Sequence, residues 1–227
     1  MRLFSYCIPV DDGAAPNPFW GTCTLTICKP VIRRVAEIGD WIIATGSKNS
    51  PIGDISKKVV YIMEVTNKLT LRDYDKYCEK NLPGKIPDIR NNDYQRKAGD
   101  CIYHYSKEGK LFQREGVHNK ENIDTDTRGI YSLLSNNFYY FGKLPIPLPE
   151  NLVKIIKTGQ GHKSESNNEC IPIFLEWINT LKNFQNKLSD TSQIKLNFDN
   201  RDEISKCSVI RCKSGDEDEI DFERGIC

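Results

Sequence analysis

Cysteine and histidine are the residues of this chain whose chemistry operates near neutral pH. The chain has nine cysteines and three histidines, His104, His118 and His162. A histidine exchanges protons in this range, and a cysteine becomes a strong nucleophile when a histidine close in space takes its proton. The two residues of such a pair need only be close in space, so the sequence does not show which cysteine pairs with which histidine. Cys28 is the cysteine best placed to react, because Lys29 and the predicted start of a helix both favour a thiolate.

His118 and His162 are the candidate catalytic histidines, each acting as a general acid or base with Asp12 as its carboxylate partner. His162 ends the run Gly159-Gln160-Gly161-His162, in which glycine lets the main chain approach a ligand closely. The alternative for each histidine is a polar residue with satisfied hydrogen bonds inside the fold. Both interpretations stay open at the level of sequence.

The stretch Ala15–Pro30, APNPFWGTCTLTICKP, holds Asn17 between two prolines and directly before two rings, Phe19 and Trp20. An asparagine side chain offers a donor and an acceptor, which suits the edge of a base, and an aromatic ring offers a stacking face. The alternative is a stiff turn that leads the two rings into the core. Residue types alone favour the turn.

A second candidate for ligand contact is Thr45-Gly46-Ser47-Lys48, which follows a predicted strand. Its backbone N–H groups, two hydroxyls and one ammonium are groups that hold a phosphate. Arg33, on the flank of a predicted helix, is a further candidate for the same phosphate. The run lacks the G-x-x-x-x-G-K-[ST] pattern of a P-loop, so an ordinary polar turn is the alternative.

The cysteine spacing does not match a common metal site. Cys23 and Cys28 form C-x4-C, as do Cys207 and Cys212, whereas zinc knuckles use C-x2-C. No metal and no cofactor are therefore predicted. An odd number of cysteines, with no apolar export signal after Met1, indicates reduced thiols and a cytoplasmic location. No apolar run reaches the length of about 18 residues that a membrane span requires, and a net charge of +1 argues against coating of nucleic acid by charge alone.

Short strands dominate the predicted elements. Apolar or alternating runs predict strands over residues 1–10, 22–28, 40–45, 59–65, 101–105, 110–113, 130–134 and 138–141. Helices are predicted over residues 31–38, 70–81, 150–157 and 169–188. Few helices and no βαβ rhythm favour an α+β fold, with a curled, mainly antiparallel sheet or a partly open β-barrel and flanking helices.

An ordered series of motifs runs through the first two thirds of the chain. It begins with D-x-G-x-A-P-N-P-F-x-G-x-C-T-L-x-x-C-K-P-x-I-R-R and G-D-W-I-x-x-T-G-S. It continues with Gly99-Asp100-x-Ile102-Tyr103, the 113–118 stretch, Phe138-x-Tyr140-Phe141-Gly142 and Gly159-x-Gly161-His162. In this order the motifs resemble a bacterial and phage family, the nucleotide modification associated domain, type two.

The resemblance implies an association with pathways that make or handle modified bases in phage–host conflict. It also implies a domain over residues 1–164 that is PUA/ASCH-like at the level of fold. The resemblance does not extend to residues 165–227, which we expect to form a helix and an acidic tail packed on the same domain. Trp20 departs from the histidine or other small polar residue expected there, which favours stacking at that position. The motif-matching candidates for the site are Asp12, Asn17, Phe19, Lys29, Arg33, Thr45, Gly46, Ser47, Tyr103, Gln113, His118, Gly161 and His162.

Three functions follow from these residues. The first is recognition of a nucleotide or modified base, with Asn17 reading an edge, a ring stacking, and Lys48 with its neighbours holding a phosphate. The second is an enzyme that acts on such a ligand through His118 or His162. The third is an interaction scaffold without a polar pocket. A histidine within hydrogen-bond reach of Asp12 or Cys28 inside a pocket favours the enzyme.

Overall fold

The structure, a computed structural model, describes residues 1–199. The acidic run at 216–219 and the Cys207/Cys212 pair lie outside the described residues. The strands are β1 (Leu3–Ile8), β2 (Cys23–Leu25), β3 (Trp41–Gly46), β4 (Lys58–Glu64), β5 (Asn67–Thr70), β6 (Tyr103–Tyr105), β7 (Leu111–Gln113), β8 (Tyr131–Ser135), β9 (Phe138–Tyr140), β10 (Ile146–Pro147) and β11 (His162–Lys163). The α-helices are α1 (Pro30–Val35), α2 (Leu71–Asn81), α3 (Tyr94–Lys97), α4 (Ile123–Arg128) and α5 (Ile171–Thr180). Short 3₁₀ helices cover Pro83–Lys85, Lys120–Asn122, Glu150–Ile155, Glu165–Cys170 and Lys182–Phe184.

The largest sheet has the order β10-β4-β3-β1-β11, and β9 also pairs with β4. Strands β1 and β3 run parallel, with Cys7 opposite Thr45 and Ile8 opposite Gly46. Their carboxyl ends therefore reach the same edge of the sheet. The flanking strand β11 runs antiparallel to β1, and β4 runs antiparallel to β3. The residues before β11 and before β4 consequently arrive at that same edge.

Two smaller sheets complete the architecture. One has the order β2-β8-β5, and the other is a hairpin of β6 and β7, which correspond to the strands predicted over 101–105 and 110–113. The predicted α+β class with flanking helices is confirmed, and every ladder between these strands is antiparallel except that of β1 with β3. None of these sheets closes into a barrel, which is consistent with the partly open form expected.

Both faces of the large sheet are buried. Successive side chains along a strand point to opposite faces, and a separate core cluster covers each face. Phe4 and Ile42 pack into a core cluster on one face, and Leu3 and Ile43 pack into a cluster on the other. Helix α5 covers the second face, and the ring centroid of Phe174 lies 5.5 Å from that of Trp41. The chain after residue 164 thus adds to the core of the same sheet.

The predicted helices differ in accuracy. Helix α2 is confirmed, and the Thr70 side chain caps it by accepting a hydrogen bond from the Asp73 amide. The expected helix over 169–188 was too long, because α5 begins at Ile171 and ends at Thr180. Pro172 accounts for the start, since proline fits the first turn of a helix. At 11 residues α2 is the longest α-helix within residues 1–199, and none there is long and apolar enough to cross a membrane.

Helix α4 was not predicted. Its residues, IDTDTR, carry a single apolar side chain and hence no apolar stripe. A capping box between Asn119 and Asn122 starts the 3₁₀ turn that leads directly into it. This short polar helix matters because it carries Asp126.

Candidate active site

Cys28 and His118 meet inside the protein. The Sγ atom of Cys28 lies 3.5 Å from Nε2 of His118, and both residues are buried, with exposed fractions of 6% and 2%. Cys28 is a thiol, as are the other cysteines among residues 1–199. A thiol this close to an imidazole nitrogen can transfer its proton to it, which is the first requirement of nucleophilic catalysis by cysteine.

The main chain at Cys28 is held in an uncommon conformation. Cys28 has a φ of 57° and Lys29 a φ of 42°, so two consecutive non-glycine residues occupy the left-handed region between β2 and α1. Such a turn persists only where surrounding contacts over-determine it. Here the Cys28 amide donates to Oδ1 of Asp126 at 2.8 Å, and Nε of Arg33 donates to the Cys28 carbonyl at 2.7 Å. Both main-chain groups of Cys28 are therefore fixed.

Asp126 joins the cysteine and the histidine. Its Oδ2 atom lies 2.6 Å from Nδ1 of His118 and accepts a second hydrogen bond, at 2.8 Å, from the Tyr103 hydroxyl. Burial raises the pKa of Asp126, but the charge and hydrogen bond of His118, the Arg33 guanidinium and the Cys28 amide outweigh it and lower the pKa below its ordinary value. An ionised Asp126 accepts the Nδ1 hydrogen of His118, which turns Nε2 towards the thiol.

Arg33 supports this arrangement from the opposite side. Its guanidinium is fully buried and donates to the carbonyls of Cys28, Asp126 and Tyr131. Gly129 leaves the space for it, because a Cβ atom at that position would lie 2.2 Å from Cζ of Arg33. Arg33 therefore ties the Cys28 turn to helix α4 and strand β8, which is the geometry of a positioning residue.

The β6–β7 hairpin holds the histidine and the aspartate. Tyr103 and Gln113 are paired across it in register. Tyr103 donates to Asp126, while Nε2 of Gln113 donates to the carbonyls of His118 at 3.3 Å and of Asn119 at 2.9 Å. A cavity of about 640 Å³ lies beside them, lined in part by Gln113, His118 and Asn119. Four residues implied by the family resemblance, Arg33, Tyr103, Gln113 and His118, thus converge around Cys28.

Asn17 has different hydrogen-bond partners from the residues around Cys28 and His118. Asn17 is fully buried, its Nδ2 donates to the Ala98 carbonyl at 2.9 Å, and its Oδ1 accepts from Nζ of Lys85 at 2.7 Å. Phe19 is buried beside it. Trp20 is 40% exposed and lies against Gly84, where an added Cβ would meet its ring at 2.4 Å. The Asn17 amide is thus engaged by the protein itself, and its role in ligand contact stays a prediction.

The remaining candidates lie along the central sheet. Thr45 is buried near the end of β3, and Gly46, Ser47 and Lys48 line a second cavity of about 590 Å³. His162, on β11, is paired with Tyr6 of β1, and the centroid of its ring lies 5.8 Å from the ring centroid of Phe4.

Three further candidates have identifiable surroundings. The Asp12 carboxylate accepts a hydrogen bond from the Ala14 amide at 3.1 Å. Gly161, next to His162, has a φ of 81°, which glycine adopts without strain. The ammonium of Lys29 lies 5.1 Å from the centroid of the Tyr6 ring.

Sequence reasoning missed Asp126 as the carboxylate that contacts His118. It lies in a segment with no apolar periodicity, and no motif distinguishes it from its neighbour Asp124. Cys28, in contrast, carried a signal, because its position between a strand and a helix beside Lys29 indicated a reactive thiol. Its histidine is 90 residues away in sequence, so only the fold pairs them.

The fold and the site define an α+β protein with a buried cysteine, histidine and aspartate connected in the order seen in thiol-dependent enzymes. The profile of nucleotide modification associated domain 2 matches residues 1–197, and the chain belongs to that family. The resemblance inferred from the motifs is thereby confirmed. No curated protein and no solved structure shows a significant match to the chain.

Proposed function

We propose that this protein is an enzyme that uses Cys28 as a nucleophile on a nucleotide or a modified base. The observation that carries the proposal is the buried Cys28–His118–Asp126 constellation, since its three residues come from separate parts of the chain and hold one another in the order thiol, imidazole, carboxylate. Membership of the family supplies the substrate class, because the family is associated with nucleotide modification. A setting in phage–host conflict and a reducing cytoplasm belong to the same proposal.

The first half of the reaction forms a covalent intermediate. Nε2 of His118 takes the thiol proton of Cys28, and the resulting imidazolium is stabilised by the Asp126 carboxylate. The thiolate attacks a trigonal carbon that bears a leaving group, such as an acyl, amide or amidine carbon. The bond from that carbon to the leaving group breaks, and the leaving group departs with the proton from His118.

The second half releases the product. A water molecule attacks the same carbon and gives a proton to Nε2 of His118. The carbon–sulfur bond breaks, and the cysteine sulfur recovers the proton from His118. The net change is hydrolysis of the substrate, or transfer of the group if another nucleophile replaces water.

The engaged amide of Cys28 constrains this mechanism. In many enzymes of this kind the amide of the nucleophile helps to stabilise the oxyanion. Here that amide donates to Asp126, so the negative charge that develops on the substrate must be stabilised by other donors. The Cys28 amide instead keeps the aspartate, and through it the histidine, in register with the thiol.

Recognition without turnover is the competing function. It explains the cavity lined by Gly46, Ser47 and Lys48, but it has no need for a buried thiol oriented by an imidazole and a carboxylate. The Cys28–His118 contact therefore favours the enzyme.

A substrate screen with matched variants tests the proposal. Base-modified nucleotides and short oligonucleotides are incubated with the wild-type protein, and turnover and covalent adducts are followed by mass spectrometry. We expect turnover that Cys28→Ala abolishes and an adduct on Cys28 in slowly reacting cases. Cys170→Ala is the matched control, because Cys170 is a buried thiol in the core cluster on the α5 side of the sheet. Turnover by folded Cys28→Ala at the wild-type rate would contradict the proposal.

A further inference from the structure

A lysine-rich cavity lies at the edge of the large sheet where the parallel strands β1 and β3 end. Cys7 comes from β1, Gly46 ends β3, and Ser47 and Lys48 follow it. Lys57 directly precedes β4. A fourth segment, residues 156–159, reaches the cavity from the loop before β11. The strand directions described above bring these four segments together.

The charge of the cavity lining is of one sign. Lys48, Lys57 and Lys157 are among the lining residues, as are Ser47 and Ser56, and no aspartate or glutamate is among them. Lys48 and Lys57 are exposed and Lys157 is half-buried. The cavity has a volume of about 590 Å³, which is in the range of small-molecule sites, and the charges of its three lysines attract an anion that enters it.

One carboxylate outside the lining, that of Asp54, interacts with a lysine of the cavity. Asp54 is close enough to Lys48 for their charges to interact, but it accepts hydrogen bonds from the amide of Ser56 at 2.9 Å and from its hydroxyl at 2.7 Å. These bonds hold the Asp54 carboxylate against Ser56. The lining itself contains three lysines and no carboxylate, so it keeps a positive charge, which Asp54 reduces near Lys48.

Lys29 connects this cavity with the reactive thiol. It follows Cys28 in the chain, and its ammonium lies over the ring of Tyr6, the neighbour of Cys7. Burial raises the pKa of Cys7, and the Lys29 charge and the Ser47 hydroxyl oppose that rise. Lys29, which follows Cys28 in the chain, thus acts by its charge on Cys7, a residue of the cavity lining.

We propose that this cavity binds the phosphate of a mononucleotide ligand, with Lys48, Lys57 and Lys157 as the cations that hold it. The nucleotide identity of the ligand rests on the proposed function, whereas the anion site rests on the cavity alone. Ammonium groups are compact point charges that suit a phosphate.

Calorimetry on the Cys28→Ala variant tests the site without turnover. The probes are a nucleoside monophosphate, the matching nucleoside and inorganic phosphate. We expect the monophosphate to bind most tightly. The triple variant K48Q/K57Q/K157Q should weaken that binding by about tenfold or more, which is a loss of about 1.4 kcal/mol or more in binding free energy. The control K76Q/K80Q/K107Q removes the same charge from exposed lysines elsewhere and keeps the affinity.

The outcomes separate this inference from the proposed function. Equal affinity in the two triple variants, or equal affinity for nucleoside and monophosphate, would overturn the phosphate site while leaving the chemistry of Cys28 intact. If inorganic phosphate binds more tightly than the monophosphate, the cavity is assigned to free phosphate, and the inference of a mononucleotide site is also overturned. In the protein with Cys28 present, K48Q/K57Q/K157Q is expected to raise KM with little change in kcat, because a uniform binding contact is lost.

Discussion

Nε2 of His118 lies 3.5 Å from Sγ of Cys28, although 90 positions separate the two residues in the chain. The contact is built by three supports that converge from different elements: the Asp126 carboxylate from α4, the Arg33 guanidinium from α1 and the Tyr103 hydroxyl from β6. Each support fixes either the turn at Cys28 or the orientation of the imidazole. The relationship is therefore specified by the fold rather than by local chain geometry, and it can be tested piece by piece.

Removal of the imidazole is expected to slow the reaction of Cys28 with iodoacetamide. In His118→Gln the thiol has no base to take its proton, so alkylation at pH 7 falls by about tenfold or more. The rate is measured by mass spectrometry of the Cys28 peptide, with the half-buried Cys7 in the same digest as internal reference. His104→Gln is the matched control, since His104 stacks on Phe112 in the hairpin. An unchanged Cys28 rate in His118→Gln would refute the pairing.

Replacement of Asp126 by asparagine is expected to lower stability in a pH-dependent way. The pKa of Asp126 is lowered in the folded protein, so its contribution is complete above the unfolded value of about 3.9 and is lost as the pH falls through the lower folded value. The free energy of unfolding of Asp126→Asn should lie below wild type by about 1.5–3 kcal/mol at neutral pH, the range for hydrogen bonds to a charged group.

Urea titrations between pH 3 and pH 7 measure this difference for Asp126→Asn and for Asp124→Asn, a neighbour on the same helix. The gap to wild type should shrink towards pH 3 for the Asp126 variant alone. A gap that is independent of pH would show that the carboxylate charge is not what the site uses.

Gly129→Ala tests the support that Arg33 gives. The added Cβ would lie 2.2 Å from Cζ of Arg33, so the buried guanidinium must move and lose contacts with the Cys28 and Asp126 carbonyls. We expect a loss of about 1–3 kcal/mol in the free energy of unfolding, as for overpacked sites, together with slower alkylation of Cys28. In an Arg33→Met background the same Gly129→Ala change should cost less, and a double-mutant cycle measures the coupling. Strict additivity would contradict the role assigned to Arg33.

Asn17→Ala is expected to reduce stability. The buried amide donates to Ala98 and accepts from Lys85, and its removal leaves a buried ammonium with one acceptor fewer, at a cost of about 1–3 kcal/mol. Thermal and urea unfolding measure the loss, with exposed Asn151→Ala as control. A large drop in nucleotide affinity without loss of stability would instead assign Asn17 to ligand contact.

Part of this architecture was accessible from the sequence because it depends on local patterns. The capping-box character of residues 70–73 predicts the start of α2, and the strand-like runs on either side of Glu108-Gly109 predict the β6–β7 hairpin. The predicted helix over 169–188 was too long, since an apolar stripe continues through Phe184 while the chain turns into a 3₁₀ segment after Thr180. No local pattern predicts helix α4, so the role of Asp126, which lies on that helix, was not predicted either.

By itself, the sequence determined the family and the α+β class, and it named Cys28 and His118 as candidates for reactive residues, because ordered motifs and residue chemistry are properties of the chain. The tertiary structure alone decided that His118 faces Cys28, that Asp126 is the carboxylate between them, and that Lys48, Lys57 and Lys157 share one cavity. These relationships join residues far apart in the chain. They are created by the pairing of strands and the packing of helices, and no local spacing records them.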